Sequence, residues 1–156
     1  LAIGPVWDYN NVLNNFFRPF STDGFLLAQR GWYSRLMTDQ DFVNQVIARY
    51  RQLRQGVLSE DYLEGYIDDV VAWLGSAVER NDAVWGYSYD ASQLPSTQRR
   101  TPDPGQTLAE VNPGSYREAV GWMKGYMIAR GEWLDEHIDA LLQHCQGSRT
   151  AAQRVE

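Results

Sequence analysis

The segment Gly4-Pro5-Val6-Trp7-Asp8-Tyr9-Asn10 places a carboxylate between two aromatic rings, where a short extended piece gives way to a loop. An aspartate oxygen held in this way suits a hard cation, because Mg²⁺ takes one or two protein oxygens and fills its remaining positions with phosphates and water. Asp8 and Asn10 would supply half of such a site. The same two residues also suit a turn, since Asp and Asn bond to their own backbone two residues on. Residue type alone leaves both readings open.

Other reactive residue types are arranged less suggestively. His137 and His144 lie seven apart with Cys145 beside the second, whereas a zinc site needs closer pairing and more ligands. Helix-surface histidines next to a partly buried thiol describe them better. Ser34, Ser59, Ser76 and Ser115 lack a nucleophile-elbow pattern, and no glycine-rich phosphate loop precedes a helix. Arg49, Arg51 and Arg54 read as a solvated helix face. Trp32, Trp73, Trp122 and Trp133 fall at amphipathic spacing and are expected in the core, although surface aromatics can also stack on sugars or peptides.

The elements that would position these residues are mainly helical. Residues 1–30 mix Gly, Pro and an asparagine cluster into an extended and looped segment that carries the candidate metal-binding motif. From Gly31 the spacing turns helical: Trp32, Tyr33, Leu36 and Met37 share one face, and Thr38, Asp39 and Asp41 suit the start of a second helix. Phe42, Val43, Val46, Ile47, Tyr50 and Leu53 form that helix's apolar face, and Gly56 ends it. Ser59 caps a third, with Leu58 and Leu63 at staple positions and a buried face of Leu63, Tyr66, Ile67, Val70, Val71, Leu74 and Val78.

Four prolines punctuate a long surface loop over about residues 85–114. Ser115-Tyr116-Arg117-Glu118 has the capping-box pattern of a fourth helix extending to about Ala129. Gly131 interrupts it, and apolar periodicity resumes at Trp133 and continues to Cys145. The expected fold is mainly α: a bundle of four to five helices over residues 31–145, an irregular N-terminal segment, and a flexible tail over 146–156.

A chain of 156 residues that is 44% hydrophobic can bury a sizeable core. A net charge of -6 disfavours a surface built to neutralise phosphates, so no nucleic-acid partner is expected. No apolar run is long enough for a membrane span. Cys145 is the one cysteine, so no intramolecular disulfide can form and the redox compartment stays open. The chain starts at Leu1 without the basic start and apolar core of a signal peptide, and it reads as a segment of a longer protein.

The succession Gly-Pro-Val-Trp-Asp-Tyr-Asn, then Gly31-Trp32-Tyr33-Ser34-Arg35-Leu36 with Asp41-Phe42, then Arg49 to Leu53, then Lys124, Arg130 and Trp133-Leu134 resembles the C-terminal half of CotH (spore coat protein H) family proteins over roughly residues 3–142. The resemblance implies a divergent atypical kinase, secreted or in the cell envelope or spore coat, that phosphorylates protein serine or threonine with ATP and Mg²⁺ or another divalent cation. It implies that Asp8, with Asn10, coordinates the cation bridging the ATP phosphates. Asn10 stands where members often carry aspartate, and Asn14 where they commonly carry glycine, departures that a pseudokinase would permit. The phosphate-covering segment, the ATP-anchoring lysine and the catalytic base would come from an upstream part of the same chain, leaving this portion inactive alone. The rival reading is a non-catalytic helical module that binds an extracellular or envelope partner.

Overall fold

The computed structural model describes residues 13, 21–26 and 28–146. Among them are six α-helices and one 3-10 helix and no strand, so the architecture is mainly α, as the periodicity predicts. The helices are α1 Gly31–Leu36, α2 Gln40–Arg54, α3 Glu60–Leu74, α4 Ala77–Trp85, α5 Leu108–Val111 and α6 Tyr116–His137, followed by the 3-10 helix Ile138–His144. The chain divides into two compact units, residues 22–63 with 129–146 in one and residues 21 and 64–128 in the other. Two of the three boundaries between them fall inside helices, in α3 and in α6.

In the first unit, α2 starts one residue later than Thr38. The Oδ1 of Asp39 accepts from the backbone N–H groups of Asp41 at 3.0 Å and Phe42 at 3.2 Å, meeting two of the donors that a helix start leaves unpaired. Thr38 instead donates its hydroxyl to the Arg35 carbonyl at 2.8 Å. Val43 and Ile47, four apart on α2, pack with Ile138 and Leu141 of the 3-10 helix and with Ala28 to form the core. Phe25, Met37, Val46, Tyr50, Leu134 and Cys145 close around them. The amide of Gln146 donates to the Thr38 carbonyl at 2.9 Å and ties the end of the described chain to the start of α2.

Ser59, in the same unit, caps α3 by accepting from the Tyr62 amide at 3.3 Å. The helix is shorter than its apolar spacing suggests. Gly75 adopts a φ of +47°, in the left-handed region where a side chain is strained, and the chain turns there before α4. Of the seven residues assigned to the buried face, only Ile67 is fully buried, while Tyr66 and Val70 are exposed. The tryptophans also depart from expectation. Trp32 is 87% and Trp73 84% exposed, so neither belongs to a core; Trp122 and Trp133 are half-buried.

The proline-rich stretch holds more order than its composition suggests. Thr107 and Glu110 form a reciprocal capping box for α5. The buried Asn112 accepts from the Arg100 amide at 2.7 Å and donates to the carbonyls of Arg100 at 3.1 Å and Leu108 at 3.0 Å. One amide side chain thereby closes the loop between residues 100 and 112. At the start of α6, Ser115 accepts from the Glu118 amide at 3.1 Å as expected, but the Glu118 carboxylate takes the Gly114 amide at 2.8 Å, one residue before the expected Ser115 amide. α6 then runs through Gly131 without a break.

Candidate functional site

Asp8 and Asn10 lie outside the described residues, as do Trp7, Tyr9, Asn14 and Asn15. Among the described residues, no group of three or more His, Cys, Asp and Glu side chains could hold a metal ion. His137 is engaged within its own helix. The Nδ1 of His137 lies 2.8 Å from the Trp133 carbonyl, and its ring stacks on the Trp133 indole with centroids 4.6 Å apart. Cys145 is half-buried, and burial, with the charge of Asp39 second, raises its thiol above the ordinary range. That direction disfavours the thiolate needed for nucleophilic or ligand chemistry.

The most concentrated polar geometry surrounds Arg54, in the unit of residues 22–63 and 129–146. Its Nε donates to Asp135 at 2.8 Å, one Nη to Glu60 at 2.7 Å and the other to the Leu58 carbonyl at 2.7 Å, with the side chain 14% exposed. Desolvation is the largest single influence on this guanidinium and lowers its pKa, but the bonds to Asp135 and Glu60 together with the Asp135 charge outweigh it, for a net rise. The Tyr50 hydroxyl donates its proton to the other Asp135 oxygen at 2.7 Å, with the Gly131 carbonyl at 3.1 Å as a second acceptor. Burial first, then the bond to Asp135 and its charge, push the Tyr50 phenol up to about 12.

Arg54 bonds three oxygens of the fold and the Tyr50 hydroxyl faces two more, so this network ties α2 to the start of α3 and to α6. It overturns the reading of Arg54 as part of a solvated face. Arg51 does stay near solvent, paired with Asp139 at 2.6 Å with both side chains more than half exposed. The signal for Arg54 lay in the glycine beside it: a Cβ on Gly131 would stand 2.9 Å from the Arg54 Cζ. Sequence reasoning saw Gly131 only as a helix weakener.

The remaining residues of the chain's most suggestive pattern are also occupied. Lys124 donates to Asp68 at 2.6 Å, joining α6 to α3, with its side chain 18% exposed. Arg130 donates to the carbonyls of Thr22 and Gly24 at 2.5 and 2.8 Å and covers the Trp133 ring at 4.9 Å, while Phe25 meets the same ring edge-on. Gly31, with a φ of +52°, supplies the turn into α1. The family model described as CotH kinase protein matches residues 1–134, which spans Asp8, Asn10 and every helix up to most of α6.

The chain belongs to the CotH family. No curated protein and no solved structure matches it. Within this CotH chain, Lys124, Arg130 and Trp133 secure the helical scaffold through the contacts above. No helix among the described residues is long and apolar enough to cross a membrane.

Proposed function

We propose that this chain is the C-terminal part of a CotH-type protein serine/threonine kinase, in which Asp8 and Asn10 contribute oxygen ligands and α1–α6 form the supporting scaffold. The observation that carries this reading is the family match, which runs over both the Trp7-Asp8-Tyr9-Asn10 segment and the helices that follow it in the chain. A carboxylate and an amide oxygen are the donor types that a hard divalent cation accepts, and they leave room for phosphate oxygens. When bound, such a cation offsets charge on the ATP phosphates during transfer to a protein hydroxyl.

The chain's own residues do not complete a kinase site. Lys124 is its only lysine, and that side chain is held by Asp68. A lysine for the nucleotide phosphates and a base for the accepting hydroxyl therefore belong, in this reading, to a preceding part of the polypeptide. The protein substrate would be a spore-coat or extracellular protein, in keeping with the spore-coat association of the family. Isothermal calorimetry with Mg²⁺ and ATP, run on residues 1–156 and on the longer parent, tests this. Binding by the parent, lost in its Asp8→Ala variant without a change in unfolding midpoint, is the expected result. Absence of binding by both chains would remove the kinase reading.

One observation favours a second reading, a non-catalytic interaction module. Thirteen large hydrophobic side chains are exposed against nine hydrophobic residues buried among the described residues, and exposed apolar patches mark association sites. In that case Asp8→Ala leaves partner binding unchanged.

A further inference from the structure

Two of the exposed apolar stripes carry opposite charge at their borders. On α1, Trp32 and Leu36 are four residues apart on one face, and Tyr33 and the preceding Leu26 are also exposed. Arg30 and Arg35 border this stripe; both are exposed, neither has an ion pair among the described residues, and α1 contains no acidic residue. On α3, Tyr66, Val70 and Trp73 follow one another at spacings of four and three along one face, beside the buried face marked by Ile67. Asp69 borders that stripe on the side away from Ile67; it is exposed and has no ion pair among the described residues, and α3 carries no basic residue.

A face of this kind is wasted on water, because exposed rings gain when they are buried and because patches rimmed by charge mark association sites. The two stripes are similar in chemistry: each includes a tryptophan, a residue enriched at interface hot spots. Each border also answers the other, arginine against aspartate. Like-charged borders disfavour α1 on α1 and α3 on α3, which selects the unlike pairing.

We propose that the occupant of each stripe is a second copy of this chain, α1 of one copy lying on α3 of the next. Such a contact uses two different surfaces and is heterologous, so it extends into a ring or a linear assembly and does not stop at a two-fold dimer. It does not depend on the kinase reading, since neither stripe includes Asp8 or Asn10.

The test is sedimentation velocity on residues 1–156 over a range of concentrations. Wild type is expected to form larger species as concentration rises, and the assembly is expected to weaken at about 1 M salt, where charge is screened beyond about 3 Å. Two charge-reversed variants, Arg30→Glu with Arg35→Glu and Asp69→Lys, should each remain monomeric where wild type assembles. Mixed one to one, they should assemble again, because the acidic α1 of one now meets the basic α3 of the other. Trp32→Ala and Trp73→Ala should each weaken association by about tenfold or more, as truncated interface tryptophans do. Circular dichroism checks that each variant keeps the wild-type helix content and unfolding midpoint. Wild type that stays monomeric at all concentrations overturns the proposal. So does assembly indifferent to the charge reversals, which would mean another face, and so do variants that fail to assemble when mixed.

Discussion

Replacing Gly131 with alanine sets two effects of known sign against each other. Alanine in the interior of a helix is favoured over glycine by about 0.5–1 kcal/mol, through backbone entropy and propensity. At this position, however, the added Cβ would lie 2.9 Å from the Cζ and one Nη of Arg54 and 3.1 Å from the other Nη. Side-chain ends can move, but this one is held from three directions, by Asp135, Glu60 and the Leu58 carbonyl. Relief of the contact has to loosen two of these bonds. Hydrogen bonds to charged groups are worth about 1.5–3 kcal/mol each when buried. Because the Asp135 and Glu60 carboxylates are 42% and 43% exposed, solvent screening reduces them to about 1 kcal/mol each, and the Leu58 carbonyl adds a similar cost.

The net expectation for Gly131→Ala is a loss of about 1–2 kcal/mol, or a melting temperature lower by about 2–8 °C for a chain of this size. Gly121 and Gly125 lie in the same helix with nothing within 4 Å of a built Cβ, so alanine there should stabilise by about 0.5–1 kcal/mol. Urea denaturation with a constant m-value reads all three. In an Arg54→Ala background the obstruction is gone, and Gly131→Ala should then stabilise as Gly121→Ala does. A midpoint raised by Gly131→Ala in the wild-type background, or an equal effect in both backgrounds, would refute the reasoning.

Tyr50 offers a test by pH. Its folded phenol is pushed up to about 12, above the ordinary value near 10. A raised pKa means that the folded state holds the proton more tightly. The resulting stability is fully present below about pH 10 and is lost as pH rises towards 12. Tyr50→Phe should flatten that part of the stability profile and remove one late-titrating phenol from the tyrosinate absorbance. Asn112→Ala should cost about 1–3 kcal/mol, since it removes the side chain that accepts from the Arg100 amide and donates to the carbonyls of Arg100 and Leu108, and amide exchange at Arg100 should rise by a factor of about 10 or more. Asp39→Ala should lower stability by about 1 kcal/mol, with Asp39→Ser retaining most of it, as measured by thermal unfolding.

The sequence by itself determined that the chain is mainly helical and where α1, α2, α3 and α6 begin, but not α4 or α5. Helix formation follows local spacing, and caps act through the nearest three or four backbone groups, so the periodicity of α2 and the signals at Ser59 and Ser115 were sufficient. The order of residues from Trp7 to Leu134 likewise carried the family, which the match over residues 1–134 bears out. Local spacing also had limits within a helix: it ran α3 past Gly75, because apolar periodicity continues across a glycine whose left-handed turn leaves no trace in the pattern.

Only the tertiary structure decided which apolar side chains are buried and which charges are structural. Trp32 and Trp73 have the spacing of core residues, yet whether a helix face is covered depends on a neighbour distant in sequence, and none among the described residues covers these two. Arg54 resembled Arg49 and Arg51 as a surface charge until Asp135, 81 residues away, was placed against it. Gly131 acquired its meaning at the same moment, from a close approach that local helix propensity does not contain. Spacing along a chain records what a residue is able to face, and the partner across the fold decides what it does face.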